Sequence, residues 1–408
     1  MYDLLHFLLP GFFVKVKVRS GDSLWYYSQL FMIPIDLIKD SNPTVDYTKL
    51  SIGEEIRIPS FTTYQHVLTN GDTVWELATS QHIAVDALLL LNQTINPNNL
   101  KVGETLTLPN RVVSTVVLEN ERYLSSELLR DIKKLREIYP FIKVNTIGRS
   151  VLGHPLTEIR LGNGKRTIHI NAAFHANEWI TTMVLMAILN DYLLSLSNSK
   201  PLRGINMLPF YNSVVLSIVP MVNPDGVDLV LQGPADRIKN EVVHLNKGSN
   251  DFTGWKANIR GVDLNNQYPA NWEVEKERKE PKSPSPRDFP GKDPLTEPEA
   301  IAMANLAKQN LFDCLIALHT QGEEFYWGYE RLEPIESERI AAEFARVSGY
   351  KSVRYIDSHA GYKDWFIQEF RRPGFTIELG KGINPLPLSQ FDTIYQKMLG
   401  IFIAALYM

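Results

Sequence analysis

His175 and Glu178 stand three residues apart in HANEW (175–179), directly after the apolar run TIHINAAF (167–174). That spacing lets an imidazole nitrogen and a carboxylate oxygen reach one metal ion from a strand-to-helix turn. A hydrolytic zinc site takes three protein ligands and keeps a fourth position for water. Of the nine histidines, His319 closes another apolar run, CLIALH (314–319), and is the natural third ligand. Such a site also needs a base that takes a proton from water and returns it to the leaving amine. Glu378, near the end of GFTIEL (374–379), suits that task, because a carboxylate closing an apolar strand is costly without a role or a partner. A pairing of Glu378 with Lys381 is the plainer alternative. Each residue alone has an ordinary structural reading; the four together predict metal-assisted hydrolysis.

The elements that must hold these groups are legible as short apolar runs: TIHINAAF, SVVLSIVP, CLIALH and GFTIEL. Runs of this kind predict strands of a sheet covered on both faces. Helices are expected between them, at 179–196, 297–310, 335–348 and 388–405, giving an α/β domain from residue 111 to 408. Open α/β sheets bind ligands at the carboxyl ends of their strands, where the four chemical residues fall. The segment 274–293, VEKERKEPKSPSPRDFPGKD, is charged and proline-rich and predicts a surface loop at the rim of the site.

Ahead of this domain the chain repeats itself at a 50-residue offset. Gly21 aligns with Gly71, Asp22 with Asp72, Trp25 with Trp75, Asn42 with Asn92, Leu50 with Leu100, Gly53 with Gly103 and Pro59 with Pro109. Each copy reads as strand, two helices and strand, with Asp22 or Asp72 placed to cap the first helix. The two copies, 14–60 and 63–110, resemble LysM domains, which implies binding of N-acetylglucosamine-containing glycans such as peptidoglycan. The repeated Gly, Trp and Pro residues read individually as holding a small fold.

The remaining chain resembles the zinc metallocarboxypeptidase family through HANEW, NPDG (223–226), RGVDLN (260–265), ALHT (317–320), GYKDW (361–365) and FTIELG (375–380). The resemblance implies a mixed eight-stranded sheet with helices on both faces and one Zn2+ on His175, Glu178 and His319, with Glu378 as general base. It further implies that Asp263 accepts the free N–H of His175. Arg260 is the nearest match to the cation facing the oxyanion, with Lys256 or another neighbouring cation as alternatives. Asn265 matches a substrate-contacting asparagine, and Tyr355 is the nearest match to a substrate-contacting tyrosine, with Tyr362 as the alternative. At 266 the family's arginine, which forks onto the substrate's terminal carboxylate, is replaced by Asn266, and asparagine cannot make that contact.

Paired LysM-like modules ahead of such a peptidase resemble bacterial γ-D-glutamyl-meso-diaminopimelate endopeptidases, including a spore-associated type. The implied partners are peptidoglycan glycan strands and stem peptides, at the cell wall or spore. A carboxypeptidase acting on free C-termini and an inactive glycan-binding wall or spore-coat protein are the competing readings. Composition is consistent with these. With 42 basic and 46 acidic residues, net charge −4, no basic footprint predicts nucleic acid as partner. The single Cys314 allows no internal disulfide. The opening MYDLLHFLLPGFF is too short to span a bilayer and lacks the basic region and cleavage site of an export signal, so it is read as a tail or first strand, with synthesis in the cytoplasm expected.

Overall fold

A computed structural model describes residues 14–117 and 122–408, so the expectation for the first 13 residues lies outside the described residues. The strands, in chain order, are β1 (Lys15–Lys17), β2 (Glu55–Arg57), β3 (Phe61–Val67), β4 (Thr105–Arg111), β5 (Lys143–Arg149), β6 (Pro155–Leu161), β7 (Arg166–Asn171), β8 (Val214–Val219), β9 (Cys314–Thr320), β10 (Glu324–Tyr326), β11 (Lys351–Val353) and β12 (Gly374–Leu379). The described chain divides into two compact units. One takes in the residues up to Val116 with Ile132–Lys143 and Asn190–Leu208, and the other takes in the rest.

In the first unit, β1 pairs antiparallel with β2, and β3 with β4, each pair enclosing two short helices as the repeat predicts. The matched asparagines explain why each copy closes. The Asn42 amide donates to the carbonyls of Ile38 (2.8 Å) and Arg57 (2.9 Å) while its oxygen accepts the Arg57 N–H (2.8 Å). Asn92 makes the same three bonds, to Leu88, Thr107 and the Thr107 N–H. One side chain thus satisfies a helix end and a strand together, groups that would be costly to bury unpaired. Gly53 and Gly103 lie at φ 86° and 90°, the left-handed region that a tight turn demands and glycine adopts cheaply.

Two expectations change here. The helix caps are Ser23 and Thr73, whose hydroxyls accept from the N–H groups of Tyr26 and Glu76 at 3.1 Å. Asp22 and Asp72 instead close the preceding turn, accepting from the N–H groups of Arg19 (2.9 Å) and Thr69 (2.8 Å). Trp25 and Trp75 are 63% and 67% exposed, so the repeated tryptophans do not serve the core. The copies are also tied to each other: Asp86 of the second accepts from the Arg19 guanidinium (2.9 Å) and the Tyr26 hydroxyl (2.6 Å) of the first.

The second unit holds an eight-stranded sheet in the order β11-β10-β12-β9-β7-β8-β6-β5. Its centre, β12, β9, β7 and β8, is parallel, while β6 on β8 and β10 on β12 run antiparallel, so the sheet is mixed. All seven residues of β9 are buried, the consequence of helices covering both faces. Below the sheet's strand ends, Phe174, Leu264, Tyr268, Leu315, Tyr362 and Trp365 share one apolar cluster. Each large side chain there stabilises the fold by about 1.5–3 kcal/mol relative to exposure.

The helices after β7, before β9, after β10 and at the C-terminus form as expected, over Ile180–Asn198, Pro298–Asn310, Glu336–Ser348 and Phe391–Tyr407. The first, extended back to Ala176, is long and apolar enough to cross a membrane, but 83% of its apolar window is buried inside the fold, which marks a core helix. The segment 274–293 is not wholly a loop. Its start continues a helix, Trp272–Arg278, because Glu275 points inward and binds groups that charge patterning alone could not locate.

Candidate metal centre

His175 sits four residues beyond the end of β7, at the entry to a 3-10 turn over Ala176–Glu178. Four bonds fix the turn. The Asn223 amide, from the NPDG segment, donates to the carbonyls of Phe174 (3.2 Å) and Ala257 (3.0 Å). The Ala176 N–H donates to the Lys256 carbonyl (3.0 Å), and the Thr181 hydroxyl to the Glu178 carbonyl (2.7 Å). The turn is thereby pinned against residues 256–257.

His319 enters from β9, and the parallel register of β12 on β9 sets Glu378 directly opposite it. Register partners project from the same face of a sheet, about 4.8 Å apart. The order of strands, not proximity in sequence, brings these two groups together.

His175 Nδ1 lies 2.8 Å from Glu178 Oε1, and His319 Nδ1 lies 3.0 Å from Glu178 Oε2 and 3.1 Å from His175 Nδ1. Two ring nitrogens and a carboxylate, all buried, therefore converge on one point. Ligands at about 2.0–2.2 Å from a tetrahedral zinc lie about 3.3–3.6 Å apart, so these groups need only part slightly to hold the ion. Two imidazoles and one carboxylate, one ligand position short of a tetrahedron, are a donor set suited to hydrolytic zinc, and the residues present fit the ion.

Burial opposes the charge on Glu178, but His175 and His319 outweigh it and hold the carboxyl down at about 2. Asp263, fully buried, places Oδ1 3.3 Å from His175 Nε2 and Oδ2 2.8 Å from Lys256 Nζ. Burial opposes its charge as well, yet Lys256 and His175 hold it well below the usual carboxylate range. Desolvation disfavours the Lys256 ammonium, and Asp263 and Asp288 (3.2 Å) overcome this and raise its pKa. Asp288 comes from the 274–293 segment, so that segment does reach the site.

Glu378 has no hydrogen-bond or ion-pair partner among the described residues, and Lys381 pairs with Glu323 instead (3.1 Å). Burial, followed by the charge of Glu178, pushes the Glu378 carboxyl up to about 8. A carboxylate left unpaired beside a metal-binding cluster is equipped to exchange a proton near neutral pH.

Other expected residues lie elsewhere. Arg260 is about half exposed and pairs with Glu297 (3.5 Å), and the cation that the fold brings beside Asp263 and His175 is Lys256. The reason is local: the Arg260 N–H bonds the Asn258 side chain in a turn that faces Arg260 away, while the Lys256 backbone is held against the His175 turn. Tyr355 is 45% exposed and donates to Glu333 (2.7 Å), and Tyr362 is fully buried and donates to the Met303 carbonyl (3.2 Å). Asn265 accepts the Tyr362 N–H (3.0 Å), which starts the helix Tyr362–Phe370. Asn266 lies beside buried Glu275, with its amide nitrogen 3.4 Å from Glu275 Oε1. Sequence reasoning also missed Asn384, whose amide donates to the Thr320 carbonyl (3.0 Å) and approaches Glu178 Oε1 (3.4 Å). Nothing in its Asn-Pro context signals this.

A His-Glu-His cluster gathered at the strand ends of a mixed eight-stranded sheet suits a metallohydrolase. The chain matches the zinc carboxypeptidase family over residues 128–399 and the LysM domain twice, over 16–59 and 66–109. It belongs to the zinc carboxypeptidase family and carries two LysM domains ahead of the peptidase domain. It is 57% identical over 397 residues to gamma-D-glutamyl-L-diamino acid endopeptidase 1 of Lysinibacillus sphaericus, covering 97% of this chain and 100% of that one. It is 51% identical over 297 residues to the uncharacterised protein YqgT of Bacillus subtilis (71% and 79% covered). Among solved structures, thrombin activatable fibrinolysis inhibitor matches with a TM-score of 0.58 at 17% identity (77% of this chain, 90% of that one). Carboxypeptidase A from Helicoverpa armigera matches with a TM-score of 0.52 at 15% identity (85% and 97%). At these identities the structural likeness is one of fold.

Proposed function

We propose that this chain is a peptidoglycan hydrolase that binds one zinc ion and cleaves the γ-D-glutamyl–diaminopimelate bond of stem peptides. The observation that carries the reading is an intact His175–Glu178–His319 cluster with Glu378 alongside, in a chain 57% identical along nearly its whole length to an endopeptidase named for the γ-D-glutamyl-diamino acid bond. Asn266 supports it further, since without an arginine there the site lacks the fork that holds a free C-terminus.

Zinc, when bound, supplies Lewis-acid polarisation of the scissile carbonyl and of the attacking water. Glu378 accepts the proton of that water and delivers it to the leaving amine. Lys256, held 2.8 Å from Asp263, presents a cation near the developing negative charge on the carbonyl oxygen. Asp263 orients the His175 ring through its second nitrogen, 3.3 Å away. Modules 14–60 and 63–110 bind the glycan and raise the local concentration of stem peptides for the domain at 111–408. The enzyme acts at the cell wall, and a spore-associated role is part of this proposal.

Digestion of defined muropeptides with mass analysis tests the reading. Diaminopimelate-bearing products are expected from wild type and not from Glu378→Gln or chelated protein. Cleavage insensitive to both treatments overturns it. Removal of residues 1–110 is expected to weaken pull-down by insoluble walls while sparing hydrolysis of small soluble peptides.

A further inference from the structure

The missing arginine at position 266 leaves open what recognises the diamino acid. Asn266 is 6% exposed, and its side-chain oxygen is buried without a hydrogen-bond partner. Its amide nitrogen makes only long contacts, 3.4 Å to Glu275 Oε1 and 3.5 Å to the His359 carbonyl. Glu275 is itself fully buried. It accepts from Arg278 Nε (2.7 Å), Lys279 Nζ (3.2 Å) and the His359 N–H (3.1 Å). A buried carboxylate with these partners is a fixed anchor, and what it anchors is a guanidinium.

Arg278 reaches past Glu275 to the loop before the helix Tyr362–Phe370. There its terminal nitrogens bond Asp357 Oδ1 (2.5 Å) and the Asp357 carbonyl (2.6 Å). These three bonds leave two of the five guanidinium N–H groups for a ligand. Asp357 is 90% exposed at its side chain, so its carboxylate is open to solvent beside the cation. From Asp263, which touches His175, the chain passes through one short turn to Asn266, then by side-chain contact to Glu275 and Arg278. A cation and an anion are thus set side by side next to the position where the family's carboxylate fork is lost.

We propose that Arg278 and Asp357 bind the zwitterionic head at the far end of the diamino acid side chain, Arg278 taking its carboxylate and Asp357 its ammonium, with Glu275 as the positioning residue. This rests on the endopeptidase reading above. A terminal α-carboxylate would call for the cation alone. A head that carries both charges matches the pair, its carboxylate meeting the remaining N–H groups of Arg278 and its ammonium the open carboxylate of Asp357.

The test compares L-Ala-γ-D-Glu-meso-diaminopimelate with L-Ala-γ-D-Glu-L-Lys, which keeps the side-chain ammonium and lacks its carboxylate. Wild type is expected to favour the diaminopimelate peptide by about tenfold to hundredfold in kcat/KM, the scale of a lost charge-assisted contact. Arg278→Ala is expected to collapse that ratio, chiefly through KM, and Arg278→Lys to restore part of it. Asp357→Asn, at an exposed position where folding is not at stake, is expected to raise KM for both peptides. Equal slowing of both peptides by Arg278→Ala, or an unchanged ratio, overturns the assignment, as does an unaltered KM in Asp357→Asn. Wild type that cleaves both peptides equally well refutes this inference and leaves the endopeptidase reading standing. Wild type that cleaves neither refutes the endopeptidase reading and the inference with it.

Discussion

Lys256 Nζ lies 2.8 Å from Asp263 Oδ2, and the other oxygen of the same carboxylate lies 3.3 Å from His175 Nε2. One buried anion therefore couples Lys256 to a histidine of the cluster that fits a metal. Lys256→Ala is expected to lower kcat by about 10²–10³, the usual cost of losing a preorganised charge at the oxyanion. It also strands Asp263, with a stability loss of about 3–5 kcal/mol. Steady-state kinetics and urea melts measure the two effects, and Lys256→Arg, which keeps the charge, should recover part of each.

Arg260 provides the contrast. It pairs with Glu297 and is about half exposed, so Arg260→Ala is expected to change kcat/KM by no more than about twofold, since exposed ion pairs contribute about 0–1 kcal/mol. A loss comparable to that of Lys256→Ala would return the oxyanion role to Arg260.

Glu378→Gln removes the proton acceptor and keeps the shape. Turnover of a soluble stem peptide is expected to fall by about 10²–10⁴, with metal content by elemental analysis unchanged and the melting temperature equal or higher. Burial and the charge of Glu178 already disfavour the Glu378 carboxylate, so its loss does not weaken the fold.

Metal removal is expected to abolish hydrolysis and lower the melting temperature, since a ligand that binds only the folded state stabilises it. Added zinc should restore both. His319→Ala should prevent the restoration, because the remaining His175 and Glu178 are too few for a hydrolytic site.

Glu299 gives a pH signature away from the site. Burial pushes its carboxyl up to about 7 from an ordinary 4.5. The folded state then holds a proton that the unfolded state has released. This contribution to stability is full below about pH 4.5 and is lost as pH rises through about 7. Its size is about 3 kcal/mol at most. Glu299→Gln, which still offers an oxygen to the Val151 N–H, should flatten the decline in denaturation free energy between pH 4.5 and 8 and leave the protein more stable than wild type at pH 8.

Residue type and spacing alone point to His175, Glu178, His319 and Glu378, because each closes or follows an apolar run, and the structure brings the first three to one point with Glu378 opposite His319. The 50-residue repeat was equally plain, and Asn42 and Asn92 show why: one amide serves both ends of a small fold. Spacing could not order the strands. That β12 lies beside β9, setting Glu378 across from His319, is decided by packing between segments far apart in the chain. Nor could it tell which of Lys256 and Arg260, four residues apart with the same charge, stands beside Asp263, since that depends on which backbone is bonded to the His175 turn. The helix Trp272–Arg278 was hidden in a run that reads as solvated charge, and only tertiary structure shows Glu275 buried and Arg278 anchored by it. The sequence determined which chemistry this protein carries, because that depends on residue types at strand ends; the tertiary structure decided which cation stands beside Asp263 and His175, because direction and partnership are properties of the folded chain.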